Sequence, residues 1–322
     1  MDHTFRARKL TCVAFAIFFL ASLRAEGTTA YVALMHGRMA DATSLLQQAV
    51  AANKSDAPAH LLLCRAAYVQ DIVDEAVSEC ERAAQLTPND SQTQMWLGRA
   101  LGMKASQANL VSAYGLAKRV RNAFECAAKL DPGNVAAASD LGEFYVGAPS
   151  FLGGGAEKTF ALAQRLMSFA PARGHRLLGL LAVKNKDLPK AESEFKEAVS
   201  AGGSAEAYND LALFYQENRR MDDAASAAKQ AIAIDRTNGP AQVDASSILM
   251  AAGRAPEAAE QALRAYLTSN NQSDSAPAFK VHLQLGRLLA QRGDRAGAHS
   301  EYVTALQLAP RYMSAREALG GA

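Results

Sequence analysis

Residues 176–198 read RLLGLLAVKNKDLPKAESEFKEA and carry two kinds of helical signal. Leu178-Gly179 places a small residue inside an apolar segment, and Ala191 and Phe195 follow at helical spacing after a polar stretch. Small residues let two helices approach closely, while larger apolar residues at i, i+4 and i+7 fill the contact on either side. The stretch therefore predicts two antiparallel helices joined by a short turn.

Copies of this unit recur along the chain. The pair in the first helix returns as Leu97-Gly98, Leu141-Gly142, Leu211-Ala212 and Leu285-Gly286. The small residue of the second helix returns as Ala42, Ala76, Ala224, Ala258 and Ala298. The spacing is 34 residues from Ala42 to Ala76, 33 from Ala191 to Ala224 and 34 from Ala224 to Ala258. A fixed period of this length is typical of a stacked repeat array.

The composition supports an all-helical array of about eight such pairs. Alanine, the best helix former, accounts for 68 of 322 residues, and long alternating runs typical of strands are absent. The sequence places the second helices near residues 46, 80, 124, 163, 195, 228, 262 and 302, and a short terminal helix from about Met313 to Leu319. The balance of 34 basic against 32 acidic residues argues against a protein that binds nucleic acid through a general basic field.

The pattern resembles the tetratricopeptide repeat (TPR) family, whose helix–turn–helix unit has about 34 residues. The resemblance covers about residues 26–320, although the Trp at the family's opening aromatic position is missing, and the Ala expected near Val120 and Thr159 is absent. It implies a right-handed superhelical solenoid whose first helices line a concave face. It also implies that protein or peptide segments lie along that face.

The first 25 residues have the layout of a secretory signal peptide. A basic start, with Arg6, Arg8 and Lys9, precedes a predominantly apolar run of 14 residues without a charge, from Leu10 to Leu23. A membrane-spanning helix needs about 20 apolar residues. We therefore expect cleavage after Ala25, a mature solenoid of residues 26–322 and a periplasmic or secreted location. An uncleaved N-terminal anchor is the alternative.

Three interruptions of the repeat are expected near residues 104–114, 148–155 and 269–275. The second contains Gly153-Gly154-Gly155, which differs from a phosphate-binding loop because Glu157 stands where that motif needs glycine. We interpret it as a tight turn between helices. The third is polar, and we interpret it as a flexible loop. Insertions in a solenoid often serve binding.

Three cysteines remain after residue 25, namely Cys64, Cys80 and Cys126. An odd number is not typical of a disulfide framework. One reading makes all three small buried helix residues. The other pairs Cys64 with Cys80, on two helices expected to be antiparallel neighbours, which an oxidising compartment would permit.

No catalytic, metal or cofactor site is predicted. The sequence contains no HExxH, CxxC or GxSxG motif. His60, His175 and His282 each precede the Leu of the first-helix motif by three residues, so they occupy one repeat position in distant units and cannot converge on one metal ion. We interpret them as packing residues and the protein as a non-enzyme.

The resemblance assigns the concave face to residues near the Leu-Gly motif of each first helix. The candidate partner-binding residues are Leu61, Arg65, Tyr68, Met95, Arg99, Glu143, Arg176, Asn209, Gln216 and Arg287. Arg65 and Arg99 are equivalent residues of adjacent units, and Arg176 lies two units further on, so we expect a basic groove for an acidic segment or a carboxyl terminus. On this interpretation, reversing the charges of Arg65 and Arg99 weakens an acidic ligand without lowering the melting temperature.

Two functions follow from these expectations. The first is an exported, non-enzymatic scaffold or adaptor that binds protein or peptide segments in its concave groove. The alternative is a structural subunit of an envelope assembly, such as pilus or outer-membrane biogenesis machinery, acting through the convex face and the loop 148–155.

Overall fold

The computed structural model describes residues 28–321, and every regular element in this range is helical. The predicted signal peptide, residues 1–25, lies outside the described residues. The helices form eight consecutive pairs with one further helix, as the repeat pattern predicted.

The helix bounds follow the repeat closely. They are α1 (described over residues 28–35), α2 (Met39–Ala52), α3 (Ala57–Val69), α4 (Val73–Leu86), α5 (Ser91–Ser106), α6 (Leu110–Leu130), α7 (Val135–Gly147), α8 (Ala156–Met167), α9 (Pro171–Lys184), α10 (Leu188–Gly202), α11 (Ala205–Glu217), α12 (Met221–Ile234), α13 (Pro240–Ala252), α14 (Pro256–Thr268), α15 (Ala278–Gln291), α16 (Arg295–Leu308) and α17 (Met313–Gly320). Successive odd-numbered helices contact one another and form the inner layer of the solenoid, and the even-numbered helices form the outer layer.

The turn inside seven of the eight described pairs uses a left-handed residue, the exception being the turn between α5 and α6. Gly37, Gly253 and Gly293 end their helices in this way, with φ angles of +69°, +62° and +85°. Asp71 takes the same role in the second pair with a φ of +61°. The turn is therefore set by the repeat geometry and not by glycine alone.

Glycines of the first helices receive large side chains from the second helix. A Cβ added to Gly98 would lie 2.4 Å from Cε1 of Phe124, and one added to Gly286 would lie 2.4 Å from Cε1 of Tyr302. Since real Cβ atoms do not approach a ring so closely, only glycine allows this packing. The small residue in the Leu-Gly motif thus admits an aromatic ring from the facing helix.

Polar links also join the two helices of a pair. Nδ1 of His60, His175 and His282 lies 2.6, 2.9 and 2.6 Å from a carboxylate oxygen of Glu79, Glu194 and Glu301. Each Glu follows its His by 19 residues. These histidines therefore connect helices at one repeat position.

A disulfide links Cys64 of α3 to Cys80 of α4, with Cα atoms 5.1 Å apart. It closes the second helix pair covalently and settles the two readings of these cysteines in favour of the bond. Cys126 is a free thiol.

The two ends of the solenoid pack against each other. Leu34 and Met39 of the first pair belong to the same apolar core as Phe279 and Tyr312 near the other end. A Cβ on Gly37 would lie 2.6 Å from the backbone nitrogen of Ala278. The array is therefore closed, a feature that the repeat pattern did not predict.

Polar contacts reinforce this closure. Nε of Arg65 donates to Oδ2 of Asp274 at 2.7 Å, and Nζ of Lys280 lies 3.2 Å from Oδ2 of Asp71. Nη2 of Arg311 donates to Oε2 of Glu75 at 2.6 Å. Each contact joins the second helix pair to the last part of the chain. We call this set of three ion pairs the closing contacts.

The loop between α14 and α15 is held in place, so the expectation of a flexible loop is wrong. The Tyr266 hydroxyl donates to the Ala276 carbonyl at 2.7 Å, and Nδ2 of Asn271 donates to the Thr237 carbonyl at 2.6 Å. With Asp274 bound to Arg65, the loop is tied at three places. It forms part of the closure.

No helix within residues 28–321 has both the length and the apolar character needed to cross a bilayer.

Two glycines on α5 should respond oppositely to alanine. In Gly98→Ala the new methyl group meets the Phe124 ring. We expect the free energy of unfolding to fall by about 1 to 3 kcal/mol, because overpacking outweighs the gain in helix propensity. A Cβ added to Gly102 has no heavy atom within 4 Å, so Gly102→Ala should raise the free energy of unfolding by up to about 1 kcal/mol. Urea unfolding of both variants tests the pair, and equal responses would contradict the packing described.

Candidate functional site: the inner-face cavity

An open cavity of about 740 Å³ lies between α3, α5 and α7 on one side and the loop before α15 on the other. We call it the inner-face cavity. Its walls contain aromatic, charged and small residues, among them Tyr68, Trp96, Arg99, Gly102, Phe144, Asp140 and Lys280. Because Asp274, Ser275 and Pro277 complete the wall, the cavity depends on the closure.

Trp96, the single tryptophan of the sequence, lies at the centre of an aromatic and cationic cluster. Its ring meets Tyr68 edge to face at 5.5 Å between centroids. The guanidinium carbons of Arg65 and Arg99 lie 5.2 and 4.7 Å from its centroid. Such cation–π contacts restrict both arginines. The cluster fixes one wall of the cavity.

The carboxylates that line the cavity are all paired within the chain. Asp140 pairs with Arg99 and Glu143 with Arg176, in each case between adjacent units. Asp71 pairs with Lys280 and Asp274 with Arg65, across the contact between the two ends of the array. The Arg99–Asp140 bond measures 2.6 Å. Burial raises the pKa of the Asp140 carboxyl, and the hydrogen bond from Arg99 opposes that rise. The walls are therefore polar but close to electrically neutral.

Arg176 bridges three inner helices. Nη1 donates to Glu143 of α7 at 2.7 Å, and Nε donates to Asp210 of α11 at 2.8 Å. Burial acts to lower the pKa of the Arg176 guanidinium, but the two carboxylates outweigh it and raise the pKa above its usual range. The ion pairs tie α7, α9 and α11 together along the inner face.

Arg65 and Arg99 do not form a free basic groove. Arg65 is bound to Asp274, which is only 9% exposed, and Arg99 is bound to Asp140. The expectation that reversing both charges leaves stability unchanged therefore conflicts with the structure. A glutamate at position 65 would place two carboxylates together at a poorly hydrated site.

The structure divides the predicted binding residues into two groups. Tyr68, Arg99 and Glu143 line the inner-face cavity, and Arg65 contacts its walls. The others follow the inner layer elsewhere: Leu61 is partly buried, Met95 and Asn209 are buried, Arg176 is half-buried, Gln216 is partly buried with an unpaired Oε1, and Arg287 is exposed. Met95 and Asn209 thus contribute to packing.

Several cavity residues were missed by the sequence analysis. Trp96 and Asp140 each directly precede the Leu of a first-helix motif, so a search one position earlier would have found them. Asp274 and Lys280 lie 209 residues from their partners Arg65 and Asp71. No local spacing predicts such pairs.

A second charged feature lies on α13. Burial raises the pKa of Asp244 to about 6, with further contributions from Asp210 and Glu206 of α11. No salt bridge to Asp244 occurs among the described residues. At neutral pH this part of the inner layer carries an ionised carboxylate beside other carboxylates.

Within residues 28–321, no group of three or more His, Cys, Asp and Glu side chains is placed to hold a metal ion.

The stacked pairs and their inner cavity define a helical repeat protein of the helix–turn–helix solenoid class. Tetratricopeptide repeat profiles match residues 33–101 and 176–242. These matches show tetratricopeptide repeats in two parts of the chain, and the eight helix pairs have the fold that such repeats form.

Two solved structures illustrate the similarity. Yeast Tom70 is 16% identical with a TM-score of 0.52, and the match covers 88% of this chain and 57% of that chain. A thermophilic TPR protein of Thermus thermophilus is 20% identical with a TM-score of 0.43, covering 66% of this chain and 92% of that one. At 16% identity the likeness to Tom70 concerns the fold alone. No curated protein matches the sequence.

Reversing the charge of Arg65 should destabilise the fold. Arg65→Glu removes the cation from Asp274 and adds a repelling carboxylate, so we expect a loss of about 3 kcal/mol in the free energy of unfolding. Arg38→Glu is the control, because Arg38 and its partner Asp41 are both well exposed and should contribute less than about 1 kcal/mol. Chemical denaturation measures both, and equal small losses would show that the Arg65–Asp274 pair does not hold the closure.

Asp244 should make stability depend on pH. In the unfolded chain its pKa is near 4, below the folded value of about 6. As pH rises from 4 to 6 the unfolded state releases its proton first, so the free energy of unfolding falls. Asp244→Asn should therefore raise the melting temperature by about 2 °C at pH 8 and leave it unchanged at pH 4.

The control for this prediction is Asp222→Asn, which removes an exposed carboxylate paired with Arg254. Asp222→Asn should not raise the melting temperature at pH 8. A gain in Asp244→Asn that is equal at both pH values would refute the assignment of the effect to this carboxyl.

Proposed function

We propose that the protein is a non-enzymatic scaffold that binds a segment of another protein in the inner-face cavity. The matched tetratricopeptide repeats support a protein-interaction role in general, and the cavity carries the specific proposal. It lies on the face where first helices line a tetratricopeptide solenoid, and its walls are formed by side chains already fixed in ion pairs. Because these side chains are already fixed, binding a segment loses little conformational entropy of the protein, and many weak contacts can together give a stable complex.

The chemistry of the walls favours an apolar anchor on the bound segment. Tyr68, Trp96 and Phe144 offer ring surface, while the four lining carboxylates are neutralised within the chain. An aromatic or aliphatic side chain would fill the space between the rings, and the polar rim would bond to its backbone. This replaces the acidic ligand suggested by Arg65 and Arg99 alone.

We further propose that the protein works outside the cytosol, in the periplasm or after secretion. The basic start and apolar run of residues 1–25 support export. The Cys64–Cys80 disulfide supports an oxidising compartment, because such bonds rarely persist in a reducing cytosol. Cell fractionation with N-terminal sequencing tests this, and a full-length cytosolic chain with free thiols would contradict it.

The alternative function is a structural subunit of an envelope assembly. Exposure of Phe151, in the inserted loop, is the observation that favours it. Replacing this loop by a short turn should then impair assembly, whereas filling the inner-face cavity should not.

The test of cavity binding uses Gly102, which lines the cavity with open space around it. Peptides selected from a random display library against the native protein should alter the fluorescence of Trp96, the only tryptophan. Gly102→Leu places an apolar side chain in the cavity, where an added Cβ meets no heavy atom within 4 Å, and should weaken these peptides at least tenfold. Gly102→Ala, the matched control, should change affinity less than twofold.

Both variants should be at least as stable as the native chain, since each replaces a helical glycine. Selected peptides that leave Trp96 fluorescence unchanged and bind Gly102→Leu normally would place binding elsewhere.

A further inference from the structure

We propose that the start of α6 and the inserted loop 148–155 form a surface that docks on an anionic lipid membrane. We call this surface the apolar patch and define it by Leu110, Val111, Tyr114 and Phe151. The proposal does not depend on cavity binding, because the two sites involve different residues.

Two separate interruptions of the repeat meet to form the patch. The rings of Tyr114 and Phe151 stack with centroids 6.4 Å apart and planes inclined by 17°. Nη1 of Arg121 donates to the Leu152 carbonyl at 3.2 Å and ties the loop to α6. These contacts therefore hold the start of α6 and the inserted loop together as one surface.

The side chains of the patch expose a large apolar surface to solvent. Leu110, Val111 and Phe151 are 91%, 86% and 71% exposed, the highest values for large apolar side chains in the part of the chain that the structure describes. Tyr114 is 45% exposed. A contiguous exposed group of this kind marks an interaction site on a folded protein.

Cations border the patch. From Lys104 to Phe124 the sequence contains four cations, Lys104, Lys118, Arg119 and Arg121, and no Asp or Glu. Asp74 pairs with Lys104, and Glu81 pairs with Arg119.

The remaining cations leave the border positive. Nζ of Lys118 lies over the Tyr114 ring at 4.3 Å, and it makes no salt bridge among the described residues. Glu125 is shared at 3.8 Å by Arg121 and Lys158, and Glu157 adds one negative charge at the start of α8. The positive end of the α6 dipole points to the same side.

The order of side chains along α6 matches a membrane interface. Aliphatic Leu110 and Val111 come first, the aromatic Tyr114 follows about one turn later, and Lys118 comes one turn after that. In interfacial segments aliphatic groups enter the acyl boundary, aromatic rings lie at the headgroup level and lysines meet anionic headgroups. Because no helix within residues 28–321 can span a bilayer, the contact is peripheral.

The experiment places an environment-sensitive fluorophore beside the patch on the full chain. Ser112→Cys is labelled in a background in which Cys12 and Cys126 are both replaced by serine, and Ser200→Cys on α10 in the same background is the matched control. With phosphatidylglycerol vesicles the probe at position 112 should brighten and shift to the blue, and the probe at position 200 should not. The local readout separates the patch from any membrane affinity of the N-terminal segment.

Substitutions then test the chemistry of the contact. Leu110→Ser with Val111→Ser should weaken the response more than tenfold, and Lys118→Gln should weaken it about fivefold at low salt. No response at position 112 would overturn the proposal. So would an equal response to neutral phosphatidylcholine vesicles, or a response that appears without vesicles as protein concentration rises, which would identify a second copy as the occupant.

Discussion

The contact between the two ends of the array is the constraint on which the rest of the structure depends. An open solenoid of eight pairs would leave an apolar face at each end. Here Leu34 and Met39 share a core with Phe279 and Tyr312, and Arg65 binds Asp274. The ends therefore cover each other. The same contact brings the loop before α15 across α3 and α5, and so creates the inner-face cavity.

The repeat itself could be predicted from the sequence because its signals are local. The spacing of Ala42 and Ala76 predicts one helix pair, and the Leu97-Gly98 motif predicts a close helix approach. The closure could not be predicted in this way. Asp274 lies 209 residues from Arg65, in a polar loop that resembles any flexible connection. Arg65 was expected to be available to a ligand because its position in the repeat does not predict its distant partner.

Closure also changes the kind of ligand that the inner face can accept. Without closure, Arg65 would be available to acidic groups. In the closed array Arg65 binds Asp274, and Arg99 is bound to Asp140 of the adjacent unit, so the inner face offers aromatic ring surface and a neutral rim. The apolar patch lies outside the cavity, on insertions that the repeat does not require. The two proposed sites, the inner-face cavity and the apolar patch, therefore involve separate residues.

Zero-length carbodiimide crosslinking of the native protein tests the closure most directly. Nζ of Lys280 lies 3.2 Å from the Asp71 carboxylate, and Nζ of Lys104 lies 2.9 Å from that of Asp74 in an adjacent unit. Peptide mass spectrometry should find the Lys280–Asp71 amide in single chains, at a yield comparable to the Lys104–Asp74 amide. The Lys104–Asp74 product alone, without any Lys280–Asp71 product, would show that the array is open in solution.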